Sequence, residues 1–224
     1  MQQLALDIGL GSGPSLDNFL AGPNGAAVEH LRVWLGGSAR SPVPVYFWGD
    51  AGSGKTHLLE AVRAELRRQG ASVGWLDASV ISPPDFSETW SAVVLDDVHL
   101  YTARQQQAAF NWFVNAQSTQ RGVLAAGIAA PVLLQLREDL RTRLGWGHVF
   151  RLHSLDESER RRVLRQHADE RGIFLGDDVM DFILSRFTRD LGSLLQLLDL
   201  LDRYALRAKR AVTIPLIKEM LDSL

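Results

Sequence analysis

Short apolar runs alternate with amphipathic stretches through the first two thirds of the chain. Residues 43–48, 73–77, 92–96, 122–127 and 148–152 are brief, mainly apolar segments. Their length and weak polar alternation predict strands buried on both faces. Residues 26–36, 54–69, 104–118 and 132–144 repeat apolar positions at helical spacing and predict helices. Strands alternating with helices predict a parallel α/β sheet. After residue 153 only helical patterns remain. Ser154-x-x-Glu157 has capping-box spacing and opens a helix to about 171. A second helix follows Asp177-Asp178. A third covers 190–208, with Leu191, Leu194, Leu195, Leu198 and Leu201 on one stripe, and Thr213 and Pro215 start a last one. The glycine-rich stretch Gly9-Leu10-Gly11-Ser12-Gly13-Pro14-Ser15 reads as a flexible linker. Three segments follow: a peptide and linker at 1–15, an α/β domain at 16–153 and an all-helical lid at 154–224.

Composition narrows the picture mainly by exclusion. The 224 residues carry a net charge of −2, so no global basic field draws in nucleic acid, and direct sequence-specific DNA binding is not expected. The absence of cysteine removes disulfides and thiolate chemistry. No apolar run approaches the roughly 18 residues of a membrane span. The N-terminus lacks the basic and apolar regions of a signal peptide. These features predict a soluble, cytoplasmic protein. His99, His148, His153 and His167 show no metal-ligand spacing.

Candidate chemistry enters with Gly49-Asp50-Ala51-Gly52-Ser53-Gly54-Lys55-Thr56, a complete G-x-x-x-x-G-K-T phosphate-binding loop between a predicted strand and a predicted helix. Its glycines let backbone N–H groups turn toward phosphate oxygens, and the helix N-terminus adds its positive dipole end. Lys55 suits the outer phosphates and the Thr56 hydroxyl suits Mg²⁺. A second apolar strand ends in Asp96-Asp97. Asp96 fits the outer carboxylate that Mg²⁺ needs, and Asp97 fits a group that positions water. His57 follows the loop directly and is grouped with the nucleotide-binding residues, without a catalytic role.

Loop, acidic strand and helical lid together resemble the AAA+ class, and in detail the DnaA-like AAA+ family of replication initiators. Leu16-Asp17-Asn18-Phe19-Leu20-Ala21-Gly22-Pro23-Asn24 looks like the initiator segment that wraps adenine, which implies roles for Phe19 and Pro23. Arg137-Glu138-Asp139-Leu140-Arg141-Thr142-Arg143-Leu144-Gly145-Trp146-Gly147 looks like the arginine-finger box, and its alignment selects Arg143. Thr188-Arg189-Asp190-Leu191 looks like the start of the sensor-2 helix and implies that Arg189 senses nucleotide. Ile128 stands where the initiator has a polar sensor-1 residue, which implies weak hydrolysis of the chain's own nucleotide.

Two departures sharpen the resemblance. No basic helix-turn-helix follows the lid, and the chain begins Gln3-Leu4-Ala5-Leu6-Asp7-Ile8. That peptide resembles the motif with which replication proteins grip the sliding clamp. Gln3 would supply amide hydrogen bonds, Leu4, Leu6 and Ile8 the apolar contacts, and Asp7 belongs to the same motif. The combination is similar to the regulatory inactivators within this family. It implies ADP or ATP with Mg²⁺ as cofactors, and the initiator DnaA and the DNA polymerase III beta clamp as partners. It also implies a location at the nucleoid or replisome and stimulated hydrolysis of DnaA-bound ATP. A homodimer is left open. A DnaC-like helicase loader and an autonomous DnaA-like ATPase are the alternatives. For Arg143, the alternative to a finger in trans is an i,i+4 pair with Asp139.

Overall fold

The computed structural model describes residues 14–37, 40–187 and 191–222. They divide into two compact units between Ser154 and Leu155. In the first unit, β1 (Val45–Trp48), β2 (Ser72–Leu76), β3 (Trp90–Leu95), β4 (Gly122–Gly127) and β5 (His148–Arg151) form one sheet in the order β2-β3-β4-β1-β5. Every pairing is parallel, with Phe47 opposite Ala126 and Phe150, and Val94 opposite Leu124. Helices α1 (Gly25–Gly36), α2 (Lys55–Arg68), α3 (Ala103–Ser118) and α4 (Glu138–Leu144) supply the crossovers and the covering layers.

Alternate side chains divide the core between the two faces. Val45, Phe47, Ala92, Val94, Leu124 and Ala126 pack with Leu31, Trp34, Leu58, Val62 and Leu66 of α1 and α2. Tyr46, Val93, Leu95, Val123 and Ala125 point the other way, against Trp112 and Phe113 of α3 and Leu140 and Leu144 of α4. Both faces of each central strand are therefore apolar, which is why these strands read as uninterrupted runs. Each fully buried Leu or Phe contributes on the order of 1.5–3 kcal/mol. Parallel strands put all their carboxyl ends on one edge, and ligands of open α/β sheets bind along that edge.

The helix expected over 132–144 is broken. Pro131–Leu133 forms a single 3-10 turn, and α4 begins only at Glu138. Leu134 and Leu136 between them are both buried at two-residue spacing, Leu134 on extended backbone, whereas Leu140 and Leu144 keep the helical interval. The change of period at Leu136 is the physical reason for the break. After α4 the chain reaches β5 through Gly147. A side chain there would place its Cβ 1.9 Å from the Pro44 carbonyl oxygen, while the neighbouring His148 N–H donates to that oxygen at 2.8 Å. Only glycine permits so close an approach.

The second unit is all helical: α5 (Glu157–Glu170), α6 (Asp177–Arg186), α7 (Leu191–Ala208) and α8 (Ile214–Asp222). Leu194, Leu197, Leu198 and Leu201 of α7 are buried with Leu164, Met180, Ile183, Ile217 and Met220. The capping box of α5 falls two residues later than expected. Asp156 accepts from the Glu159 N–H at 2.7 Å, and Glu159 accepts from the Asp156 N–H at 2.9 Å. Ser154-x-x-Glu157 and Asp156-x-x-Glu159 share the spacing, and the aspartate forms the cap. Thr213 starts α8, accepting from the Leu216 N–H at 3.4 Å. On α5, Arg161 pairs with Asp177 and Asp181, and Arg165 with Asp177. Such exposed pairs contribute at most about 1 kcal/mol each. Among the described residues no helix is long and apolar enough to cross a membrane.

Candidate nucleotide site and finger box

The phosphate-binding loop follows β1 and ends where α2 begins. Gly54, at the N-cap, has φ +91°. A Cβ at Gly54 would sit 2.5 Å from Cε2 of Phe19, so the leading segment lies directly on the loop. Ser53 and Lys55 are buried. The Lys55 ammonium donates to the carbonyl oxygens of Gly49 at 2.8 Å and Asp50 at 2.9 Å. Burial lowers its pKa, while Asp97, Asp96 and Asp50 act to raise it. Burial outweighs the carboxylates, so the net shift is downward and the three acids only limit it.

Asp96 ends β3 and is 4% exposed. Burial pushes its carboxyl up to about 6; the hydrogen bond from Thr56 opposes the rise, and Asp97 adds to it. Thr56 and Asp96 are thus brought into direct contact from the two motifs. Asp97 adopts left-handed backbone at φ 48° and donates its N–H to the Asp96 carboxylate at 3.0 Å.

Whether this cradle suits a nucleotide with Mg²⁺ is tested by its donors. The Ser53 hydroxyl oxygen is buried with no hydrogen-bond partner among the described residues, at the centre of a loop that opens onto the α2 N-terminus. A hydroxyl and a carboxylate stand together where a hard cation takes oxygen ligands. The residues fit the group. Thr56 and Asp96 would hold Mg²⁺, and Gly52, Ser53, Gly54 and Lys55 the phosphates.

The Asp96 shift carries a stability prediction. Its folded pKa lies above the ordinary value of 3.8. Its protonation therefore favours folding below that value, and the benefit is lost as pH rises through about 6. At pH 7 the ionised group costs up to about 3 kcal/mol, for a shift of about two units. Asp96→Asn is expected to stabilise the nucleotide-free protein by about 1–3 kcal/mol at pH 7 and by much less near pH 4. Urea unfolding at the two pH values measures this, and equal differences at both would contradict it.

The segment resembling the adenine wrap is tied down by His57, grouped above with the nucleotide-binding residues, and by Asn24, to which no separate role was given. His57 Nε2 lies 3.1 Å from the Ser15 carbonyl oxygen and 3.0 Å from Asn18 Oδ1, and its ring is 5.5 Å from that of Phe19. Asn24 is buried and bonded reciprocally to the His153 backbone, at 2.9 and 2.8 Å. Pro23 is exposed in the 3-10 turn Gly22–Asn24. The signal for His57 was a polar residue in the first turn of α2, five residues after an exposed loop position, and it names no partner by itself. Ile128 follows β4 and is 48% exposed, so no polar side chain occupies that place.

In the finger box, the expected alternative for Arg143 does not form. Asp139 is taken by Arg137, whose Nη2 lies 2.6 Å from it. The Arg143 guanidinium instead lies over Trp146 at 4.7 Å and Phe110 at 5.2 Å. It has no ion pair among the described residues. Phe110 was not anticipated, because it comes from α3, more than 30 positions away. Gln3, Leu4, Leu6, Asp7 and Ile8, and also Arg189, lie outside the described residues.

Residues 156–221 match the family model described as "Hda, lid domain". The whole chain is similar to domain III of the Thermotoga maritima replication initiation protein DnaA. That match has 19% identity and a TM-score of 0.68 and covers 93% of this chain and 95% of the other. AMPPCP-bound DnaA from Aquifex aeolicus matches at 22% identity and a TM-score of 0.63, over 87% of this chain and 68% of that one. The Thermotoga maritima RuvB Holliday junction branch migration motor matches at 17% and 0.57, over 94% and 72%. The chain shares the fold of DnaA domain III, and its residues 156–221 are similar to the lid domain that the Hda model describes.

Proposed function

We propose that this chain is a regulatory inactivator of the replication initiator DnaA. It binds ADP or ATP at Gly49 to Thr56, tethers to the sliding clamp through Gln3 to Ile8, and presents Arg143 to ATP held by a DnaA molecule. The observation that carries the reading is Arg143. It is a guanidinium with no counter-ion among the described residues, in a box that resembles an AAA+ finger, on a chain with an Hda-type lid.

The step stimulated is hydrolysis. Water attacks the γ-phosphorus of the DnaA-bound ATP, the bond to the bridging β–γ oxygen breaks, and ADP and phosphate leave. Negative charge builds on the γ oxygens in the transition state. A guanidinium presented from a second protein stabilises that charge. The chain's own nucleotide would play a different part. With Ile128 in place of a polar residue, water beside that γ-phosphate is poorly oriented, and turnover there is slow. Mg²⁺, when bound by Thr56 and Asp96, would neutralise charge on the outer phosphates of the chain's own nucleotide. The clamp peptide acts by proximity: docking raises the effective concentration of Arg143 near DnaA on clamp-loaded DNA.

The test uses purified ATP-loaded DnaA with the clamp loaded on DNA. Adding the full chain is expected to accelerate ATP loss. Deleting residues 1–8 is expected to abolish co-sedimentation with the clamp and to reduce the acceleration to that seen without clamp. No acceleration by the full chain would sink the reading. Clamp binding by the truncated chain would sink the tether.

A further inference from the structure

Phe110 carries two guanidinium groups, Arg137 at 5.1 Å and Arg143 at 5.2 Å. They differ in charge balance. Arg137 is neutralised by Asp139, with contacts of 2.7 and 2.6 Å, and also donates to Gln107. Arg143 has no such partner among the described residues, and its other contacts are also rings, Trp146 at 4.7 Å and Phe113 at 6.0 Å. An aromatic face attracts a cation without consuming its N–H donors, which lie in the guanidinium plane. A carboxylate would have taken those donors and cancelled the charge. The rings therefore bracket Arg143 and leave its hydrogen-bonding fork unspent among the described residues.

The backbone of the platform is tied to the elements on either side of it. Trp146 donates its backbone N–H to the Arg143 carbonyl at 3.1 Å, closing the C-terminus of α4. One residue later Gly147 lies hard against Pro44, and β5 begins. Phe110 packs against the core on the α3 side. Yet the Trp146 side chain is 59% exposed, too open to be explained as core filling. The turn before α4 packs near Gly145, the residue before Trp146: a Cβ on Gly145 would lie 3.8 Å from Pro131. On that turn Val132 and Leu133 are 76% and 67% exposed. An uncompensated cation beside an exposed indole is complementary to an anionic phosphate set in a protein surface.

We propose that Trp146, seconded by Phe110, is a positioning residue that holds Arg143 by its face for delivery to a phosphate on another molecule. This rests on the finger reading given above. The rings touch neither nucleotide nor water; they act through Arg143.

The experiment measures single-turnover hydrolysis of ATP-loaded DnaA on clamp-loaded DNA across concentrations of the chain, with Trp146→Ala, Trp146→Phe, Arg143→Ala and the double variant Arg143→Ala/Trp146→Ala. Trp146→Ala is expected to lower the saturating rate about tenfold, with ADP affinity and thermal midpoint kept near wild type. Trp146→Phe, which keeps a ring face, is expected to recover to within about twofold. The double variant is expected to be no slower than Arg143→Ala alone. A wild-type saturating rate for Trp146→Ala overturns the proposal while leaving the finger reading standing. A rise confined to the half-saturating concentration overturns it equally, because Trp146 is then a contact and not a positioner. Full activity of Arg143→Ala overturns both.

Discussion

Arg143→Ala is expected to cut the stimulated hydrolysis of DnaA-bound ATP by at least about 10³, the lower end of what a guanidinium supplied in trans contributes to phosphoryl transfer. The size follows from where the charge acts. The γ oxygens gain negative charge only as the bond to the bridging oxygen breaks, so a cation placed there lowers the barrier more than it tightens binding. The variant should therefore bind the clamp normally and associate with DnaA almost as wild type does, yet fail at saturation. Arg143→Lys should recover little, since an ammonium lacks the planar fork and stacks less well on Trp146 and Phe110. Arg141→Ala is the internal control. Two residues apart on a helix places Arg141 about 200° from Arg143, and Arg141 makes neither of these ring contacts. Its loss is expected to matter less than tenfold. Rapid-quench measurement of ATP remaining on DnaA decides the matter. A rate for Arg143→Ala within threefold of wild type would remove the residue from the mechanism.

The parts of the fold that were legible in the chain are those governed by local physics. Strand runs such as Ala92 to Leu95 are apolar on both faces because both faces are covered. The phosphate-binding loop was legible because its glycines and Lys55 answer to backbone geometry within eight residues. The segment 131–144 was misjudged because its leucines satisfy two periods in succession. Leu134 and Leu136 are buried at two-residue spacing outside any helix, Leu140 and Leu144 belong to a helix, and the changeover bears no glycine or proline. The α5 cap was misplaced because Ser154 and Asp156 each have a glutamate three residues on, and spacing alone cannot rank them. The surroundings of Arg143 were illegible for another reason. Asp139 is four residues away, at good helical pairing distance, but Arg137 claims it from outside the helix. Phe110 arrives from a separate element, brought there by the packing of α3 beside α4. Contacts of that kind are set by topology, and a single chain read in order does not contain them.

Lys55→Ala is expected to weaken binding of ADP and ATP by at least about a hundredfold. Removing one member of a buried, paired charge costs on the order of 3–5 kcal/mol, and at Lys55 the lost partner is the phosphate. The nucleotide-free protein makes the loss specific. The ammonium is 7% exposed, and its hydrogen bonds run to the Gly49 and Asp50 carbonyls, so alanine leaves two loop oxygens without their donor. It also leaves Asp96 and Asp97 facing each other without the nearby cation that moderates them. Anion affinity and loop order should fall together, read as loss of co-purified nucleotide and as a weakened response to added Mg²⁺-ADP in calorimetry. Set beside Arg143→Ala, this variant separates the two nucleotides in the proposal. If the resident nucleotide holds the chain in its working form, Lys55→Ala should lose stimulation of DnaA and regain part of it at millimolar ADP, whereas Arg143→Ala should be deaf to added ADP. Stimulation by Lys55→Ala at the wild-type rate without bound nucleotide would show that the chain's own phosphate site has no part in what Arg143 does.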